Sequence, residues 1–354
     1  MSSNFKSFNF YVSVYEETTL PFLSGIKIRD FFLDQKSCAY AYREGRKKIK
    51  EIFGPEVSLP HVSPAHFSYG HLACLGAEIA FPENGEPVPK VLYKSIEEAV
   101  ESLRRGVDFR ENKLFKHYYA IYEHLRKEFG EEARFEGFGW EGPLTSAILL
   151  RGSGFFLDLR KNPKKVKEYL ELLTESIVEF VYFLREINGE PKVNPVAAGL
   201  CDDMASYLNP SLWEDFVLPY WEIYYSSLTS GRRSLHCENL TPEHLDCLKK
   251  AKISHFDPSI SSKTKRLTVR IVKEKLGEIP FSWRLPSFEL VAMRIEDVKK
   301  WVAKAFKDGA SEVYLVIEPI LCDEENSRKV LEFMKVAEKI KNSELVLSTT
   351  YHES

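Results

Sequence analysis

The chain has 354 residues, 44% of them hydrophobic, and a formal net charge of −3. That is apolar material for one large domain or two ordinary ones, and the near balance of charge excludes a non-specific nucleic-acid binder, which needs a basic footprint. No apolar run approaches the roughly 18 residues that cross a bilayer, and the opening MSSNFKSFNFYVSVYEE lacks the basic start and apolar core of a signal peptide. The cysteines, at 38, 74, 201, 237, 247 and 322, are scattered with no CxxC spacing, which predicts reduced thiols in a cytoplasmic protein.

In chain order, residues 1–54 read as an N-terminal helical extension to a single domain over 55–354. A first strand is predicted at 55–60 (PEVSLP), followed by amphipathic helices at 95–105 and 113–129 and a strand at 133–140 (ARFEGFGW). Residues 162–187 carry apolar positions at Val166, Leu170, Leu173, Ile177 and Phe180, and Asn162-Pro163 places proline in the first turn of the helix. Strands follow at 193–201 and 232–237, then a helix at 241–251 opened by Thr241-Pro242-Glu243. The remaining strands are predicted at 253–257, 278–284, 312–318 and 344–350, with helices at 295–308 and 324–341 between them. Eight strands alternating with helices predict an α/β protein built as one (β/α)8 TIM barrel with additional N-terminal helices. A doubly wound sheet is the rival architecture, and the barrel also accounts for the polar residues collected at the strand ends.

Barrel enzymes place their chemistry at the C-terminal ends of the strands. Here those ends offer His61, His66 and His71, then Trp140-Glu141, Cys201-Asp202-Asp203 and His236-Cys237-Glu238. Asp257, Trp283-Arg284, Glu318, Cys322 and His352 follow. Histidine, cysteine and glutamate on neighbouring strands suit a zinc ion, which takes imidazole, thiolate and carboxylate ligands. Side chains at i and i+2 of an extended segment project the same way, so His236 and Glu238 are expected on one side and Cys237 on the other. Cys322 is the favoured third ligand, with Cys237 and Asp202 as alternatives. Buried cysteines and histidines satisfied by backbone also occur in such positions without any metal.

Five stretches together carry a resemblance. They are HLACLGAEIAFPENGEPVPK (71–90), GFGWEGPLTSAILLRGSGFFLDLRKNPKKV (137–166), DDMASYLNPSLWEDFVLPYW (202–221), SLHCEN (234–239) and VYLVIEPILCDEENSRKVLEFM (313–334). In order and spacing they resemble the uroporphyrinogen decarboxylase superfamily, and within it the corrinoid-dependent methyltransferase branch. SLHCEN stands where that branch has its His-x-Cys zinc motif, so the resemblance implies Zn2+ held by His236, Glu238 and Cys322. It implies a (β/α)8 barrel that moves a methyl group between a small methylated compound, or a thiol or folate-type acceptor, and a corrinoid (cobalamin), which a partner corrinoid protein would carry.

Two features depart from the pattern. No Arg-rich RQAGRY segment is present, which weakens the case for a porphyrinogen with its eight carboxylates. Glu238 replaces the motif's cysteine, and a harder carboxylate ligand makes zinc more Lewis acidic. The expected roles are acid/base chemistry or support of the metal for Glu141, Asp202, Asp203 and Glu318. Substrate contacts are expected from His71, Trp140, Tyr207, Trp283 and Arg284. The alternatives are a metal-independent decarboxylase of the uroporphyrinogen decarboxylase type and a non-catalytic barrel that binds a corrinoid or small molecule. No nucleic-acid or membrane partner is expected, and a homodimer is the oligomer left open.

Overall fold

A computed structural model describes residues 8–259 and 267–350, with side chains to residue 343. The strands in chain order are β1 (Asn9–Val14), β2 (Ile79–Ala80), β3 (Val88–Pro89), β4 (Ala197–Cys201), β5 (Arg232–His236), β6 (His255–Asp257), β7 (Ser282–Arg284) and β8 (Glu312–Ile317). They form a sheet in the order β1-β8-β7, a β2-β3 hairpin and a sheet in the order β4-β5-β6. Every pairing in the two three-stranded sheets is parallel. A single parallel bridge, Phe256 to Phe281, links β6 to the segment leading into β7.

The expected strands at 193–201, 232–237, 253–257, 278–284 and 312–318 correspond to β4 through β8. Three other expectations are corrected. Residues 55–60 form no strand, although the Ser58 N–H reaches the Val12 carbonyl at 3.1 Å. Residues 133–140 form no strand, and their β pairing is limited to the isolated bridges Val62–Ala133 and Phe67–Phe138. Residues 344–350 continue the Glu324–Thr350 helix instead of forming an eighth barrel strand. The free side of β8 is already taken by β1, which pairs with it over its whole length from Asn9–Glu312 to Val14–Ile317. So the 1–54 segment, read as helical, supplies a strand as well as the helices Glu16–Ser24, Ile28–Leu33 and Gln35–Phe53. His352 lies outside the described residues.

Glycines explain why 133–140 stays irregular. A Cβ on Gly137 would lie 1.8 Å from the Pro64 carbonyl oxygen, so the backbones cross too closely for any side chain. The helices match their patterns well: Pro163–Ile187 buries Val166, Leu170, Leu173, Ile177 and Phe180. Ile96–Arg105 is capped by the Ser95 hydroxyl, which accepts from the Glu98 N–H at 3.1 Å. The core is heavily aromatic, with Phe115, Phe135, Phe138, Phe180 and Phe183 packed ring on ring between the helices and the irregular segment. No helix among the described residues is long and apolar enough to cross a membrane.

Candidate metal centre and cavity

Register brings the site together. Cys201 pairs with His236 across β4 and β5, and His236 with Asp257 across β5 and β6. Three chemically active residues therefore end three adjacent strands side by side, about 4.8 Å apart from strand to strand. Asp203 follows two residues after Cys201. The donor atoms of Cys201, Asp203 and His236 all lie within 4.8 Å of one another, the only such group of three among the described residues.

Hydrogen bonds fix the arrangement. His236 Nδ1 pairs with Asp257 Oδ2 at 2.8 Å, and the Tyr314 hydroxyl donates to both Asp257 oxygens at 2.9 Å. His236 Nε2 is left facing Asp203 Oδ1 at 3.8 Å. The Glu238 N–H donates to Asp203 Oδ1 at 2.8 Å, and the Cys201 thiol contacts Asp203 Oδ2 at 3.6 Å. Burial lowers the His236 pKa, but the hydrogen bond and charge of Asp257, with Asp203 and Glu238, push it up to about 9. Burial and the charges of Glu141 and Asp203 drive the Cys201 thiol far up.

This donor set fits zinc. It offers imidazole nitrogen, sulfur and carboxylate oxygen. Asp257 engages one ring nitrogen of His236 and frees the other, which is how carboxylates orient metal-binding histidines.

A cavity of about 680 Å³ opens beside the trio, lined by His66, Ser68, Gly139, Trp140, Cys201, His236 and Asp257 among others. Next in the chain after the lining residue Trp140 is Glu141, which is buried, and Glu141 Oε2 has no hydrogen-bond partner among the described residues. Burial, then the charges of Asp203 and Asp202, push the Glu141 pKa up to about 8. This carboxyl can hold a proton at neutral pH.

The other predicted residues fall in varied places. Asp202 is fully buried and accepts from the Thr145 N–H at 2.7 Å, the Leu144 N–H at 3.3 Å and Trp221 Nε1 at 2.7 Å. It anchors the start of the Pro143–Arg151 helix. Trp140 lines the cavity and donates to the Tyr224 hydroxyl at 3.0 Å. His71 is wholly buried between helices, 3.0 Å from the Ser176 hydroxyl, and burial pushes its pKa down to about 3. Trp283 is also buried, while Tyr207 is 60% exposed. Arg284 Nη2 pairs with Glu318 Oε1 at 3.0 Å.

Glu238 and Cys322 do not join the trio. β5 stops at His236, and the chain turns with Asn239 at φ 60°. Cys237 is fully buried, its thiol 3.2 Å from the Asp202 carbonyl oxygen. The Cys322 thiol lies 3.8 Å from the Glu318 carbonyl oxygen and packs at the edge of the core. In the sequence Cys201 and Asp257 stand at strand ends with no local signal of their role. His66 was one of three histidines after a strand wrongly placed at 55–60, and Glu17 lay in the supposed extension.

Parallel strands joined through helices, with polar groups gathered at strand C-termini, define an α/β protein with an enzyme-like site. The sequence model of the uroporphyrinogen decarboxylase (URO-D) family matches residues 69–278, more than half of the chain. The chain belongs to that family. No curated protein matches it, but 22 solved chains do. One is a methyltransferase from Methanosarcina mazei, 17% identical, with a TM-score of 0.67 over 93% of this chain and 94% of that one. At that identity the likeness shows a shared fold.

Proposed function

We propose that this protein is a zinc-dependent methyltransferase that exchanges a methyl group between a small methylated compound or thiol and a corrinoid carried by a partner protein. The observation that carries the reading is the Cys201–Asp203–His236 trio with Asp257 behind it. The methyltransferase likeness supports it, as does the family's fold, from which we read the two sheets and the bridged segments between them as one (β/α)8 ring. Zinc held there would supply a Lewis acid that lowers the pKa of a thiol or hydroxyl presented to it. Asp257 would hold the His236 ring in place, and Trp140 would wall the substrate. The cavity suits a small molecule. Tyr207, Phe288 and Ile320, exposed just past β4, β7 and β8, offer the partner an apolar rim.

The charges around the site argue against a porphyrinogen. Asp203, Glu238 and Asp257 stand around His236 at the strand ends, and Arg284 is already engaged by Glu318. A substrate with many carboxylates would meet like charge there.

His236 is common to both ligand sets, the Cys201–Asp203 pair placed beside it and the Glu238–Cys322 pair implied by the resemblance. Protein purified without chelators should carry close to one zinc per chain and should demethylate methylcobalamin in the presence of a thiol. Cys201→Ser and Asp203→Asn should each lose zinc, while Glu238→Ala and Cys322→Ala keep it. The opposite result would hand the site to Glu238 and Cys322. Metal-free wild-type protein as purified would remove the chemical basis of the reading.

A further inference from the structure

A second group of titratable side chains centres on His66, at the same cavity as the metal donors. His66 lines the cavity, and its Nδ1 lies 3.4 Å from Glu17 Oε1. Glu17 is buried at the start of the Glu16–Ser24 helix, just past the end of β1. The opposite ring nitrogen, Nε2, sits beside Gly139, where a Cβ would approach it to 3.4 Å. Gly139 also lines the cavity, so the missing side chain leaves room at that nitrogen. Glu141, two residues on, is buried with one carboxyl oxygen unpartnered.

We propose that His66 and Glu17 form a proton-transfer arm at the cavity, in which His66 Nε2 exchanges a proton with the substrate heteroatom and Glu17, behind the other ring nitrogen, positions the ring. The proposal rests on the methyl-transfer reading. In one direction the heteroatom–methyl bond breaks and its electron pair stays on the heteroatom. The Nε2 proton of protonated His66 neutralises that atom, while the acceptor's own electron pair forms the new bond to methyl. In reverse, neutral His66 takes the proton from the attacking thiol or hydroxyl. A carboxylate behind one ring nitrogen favours the tautomer and charge state this needs.

The groups facing His66 are Glu16 and Glu17 from the Glu16–Ser24 helix and Glu141 from the segment after Trp140. Burial works against the charged ring, but the hydrogen bond and charge of Glu17, with Glu16 and Glu141, raise its pKa above the usual value. The His66 side chain is about half exposed and lines the cavity, so water reaches it.

Two measurements test the arm. The first is an NMR titration of the histidine rings in the wild-type, His66→Gln and Glu17→Gln proteins, which needs no substrate. The resonance lost in His66→Gln should titrate at lower pH in Glu17→Gln. An unmoved midpoint overturns the arm. The second is turnover of methylcobalamin with 2-mercaptoethanol. His66→Gln should lower kcat by roughly 10²–10³-fold with KM within about threefold, and Glu17→Gln should shift one limb of the pH–rate profile. Both variants should keep the zinc content and melting temperature of the wild type. Unchanged kcat in His66→Gln overturns the proposal. Wild-type protein inert toward methylcobalamin counts against the functional reading alone, and the ring titration then decides the arm.

Discussion

The two parallel sheets present similar residues at their C-terminal ends and use them differently. Past β4, β5 and β6 the register sets Cys201, His236 and Asp257 in one row, and Asp203 closes on them. Past β1, β7 and β8 stand Glu17, Arg284, Glu318 and Cys322, and there opposite charges have paired off: Arg284 with Glu318, and Glu17 with His66. No metal-binding trio forms on that side among the described residues. A ligand-rich strand end is therefore a weak signal by itself. What makes a site is the register that brings donors from adjacent strands within reach, together with a surplus of one charge.

The comparison breaks most visibly at the metal. His236→Ala should weaken zinc binding by at least ~100-fold, and Asp257→Asn by roughly 10–100-fold through loss of ring orientation. Arg284→Gln should leave it unchanged. Metal content after dialysis against graded chelator checks all three.

Next in size is the support beneath the β4 end. Asp202→Ala strands the Thr145 and Leu144 N–H groups and Trp221 Nε1 in a fully buried position. The expected loss is about 3–5 kcal/mol in urea unfolding, with Asp202→Asn losing less.

The metal-free protein should then show the charge surplus as a pH dependence. Folding raises the His236 pKa from 6.5 to about 9, so the stability it contributes is fully present below about 6.5 and is lost as pH rises through 9. Folding raises the Glu141 pKa from 4.5 to about 8, so the native state binds a proton that the unfolded state releases, and stability falls between those values. Both slopes have the same sign, and apo protein should be less stable at pH 9 than at pH 5. Glu141→Gln should flatten the lower part, gaining about 1–3 kcal/mol at pH 8. Asp257→Asn should flatten the upper part. Urea midpoints at several pH values read both, and a wild-type profile that rises with pH would contradict the assignment.

The smallest effect belongs to the other sheet. Arg284 and Glu318 are 24% and 34% exposed, so solvent screens their pair. Arg284→Gln should cost no more than about 1 kcal/mol. A larger loss in a thermal melt would mean that the buried Arg284 Nε contributes beyond that pair.

Read alone, the sequence determined the α/β class, the long helices and five of the strands. Those features depend on local periodicity: Pro163–Ile187 repeats its apolar face over seven turns, and β8 is a run of buried apolar residues. It also pointed to His236 and Glu141, because strand ends in this kind of fold are where polar side chains meet the cavity. Tertiary structure alone decided the rest. Whether the neighbour of β8 is Asn9–Val14 or 344–350 is a pairing across some three hundred residues, and no local pattern encodes it. The partners of His236 depended on the same kind of information. Cys201 and Asp257 are its neighbours through strand register, while Glu238, two residues away in sequence, lies past the end of β5. Side-chain alternation is a local rule of one strand, whereas which donors of neighbouring strands meet is set by their register.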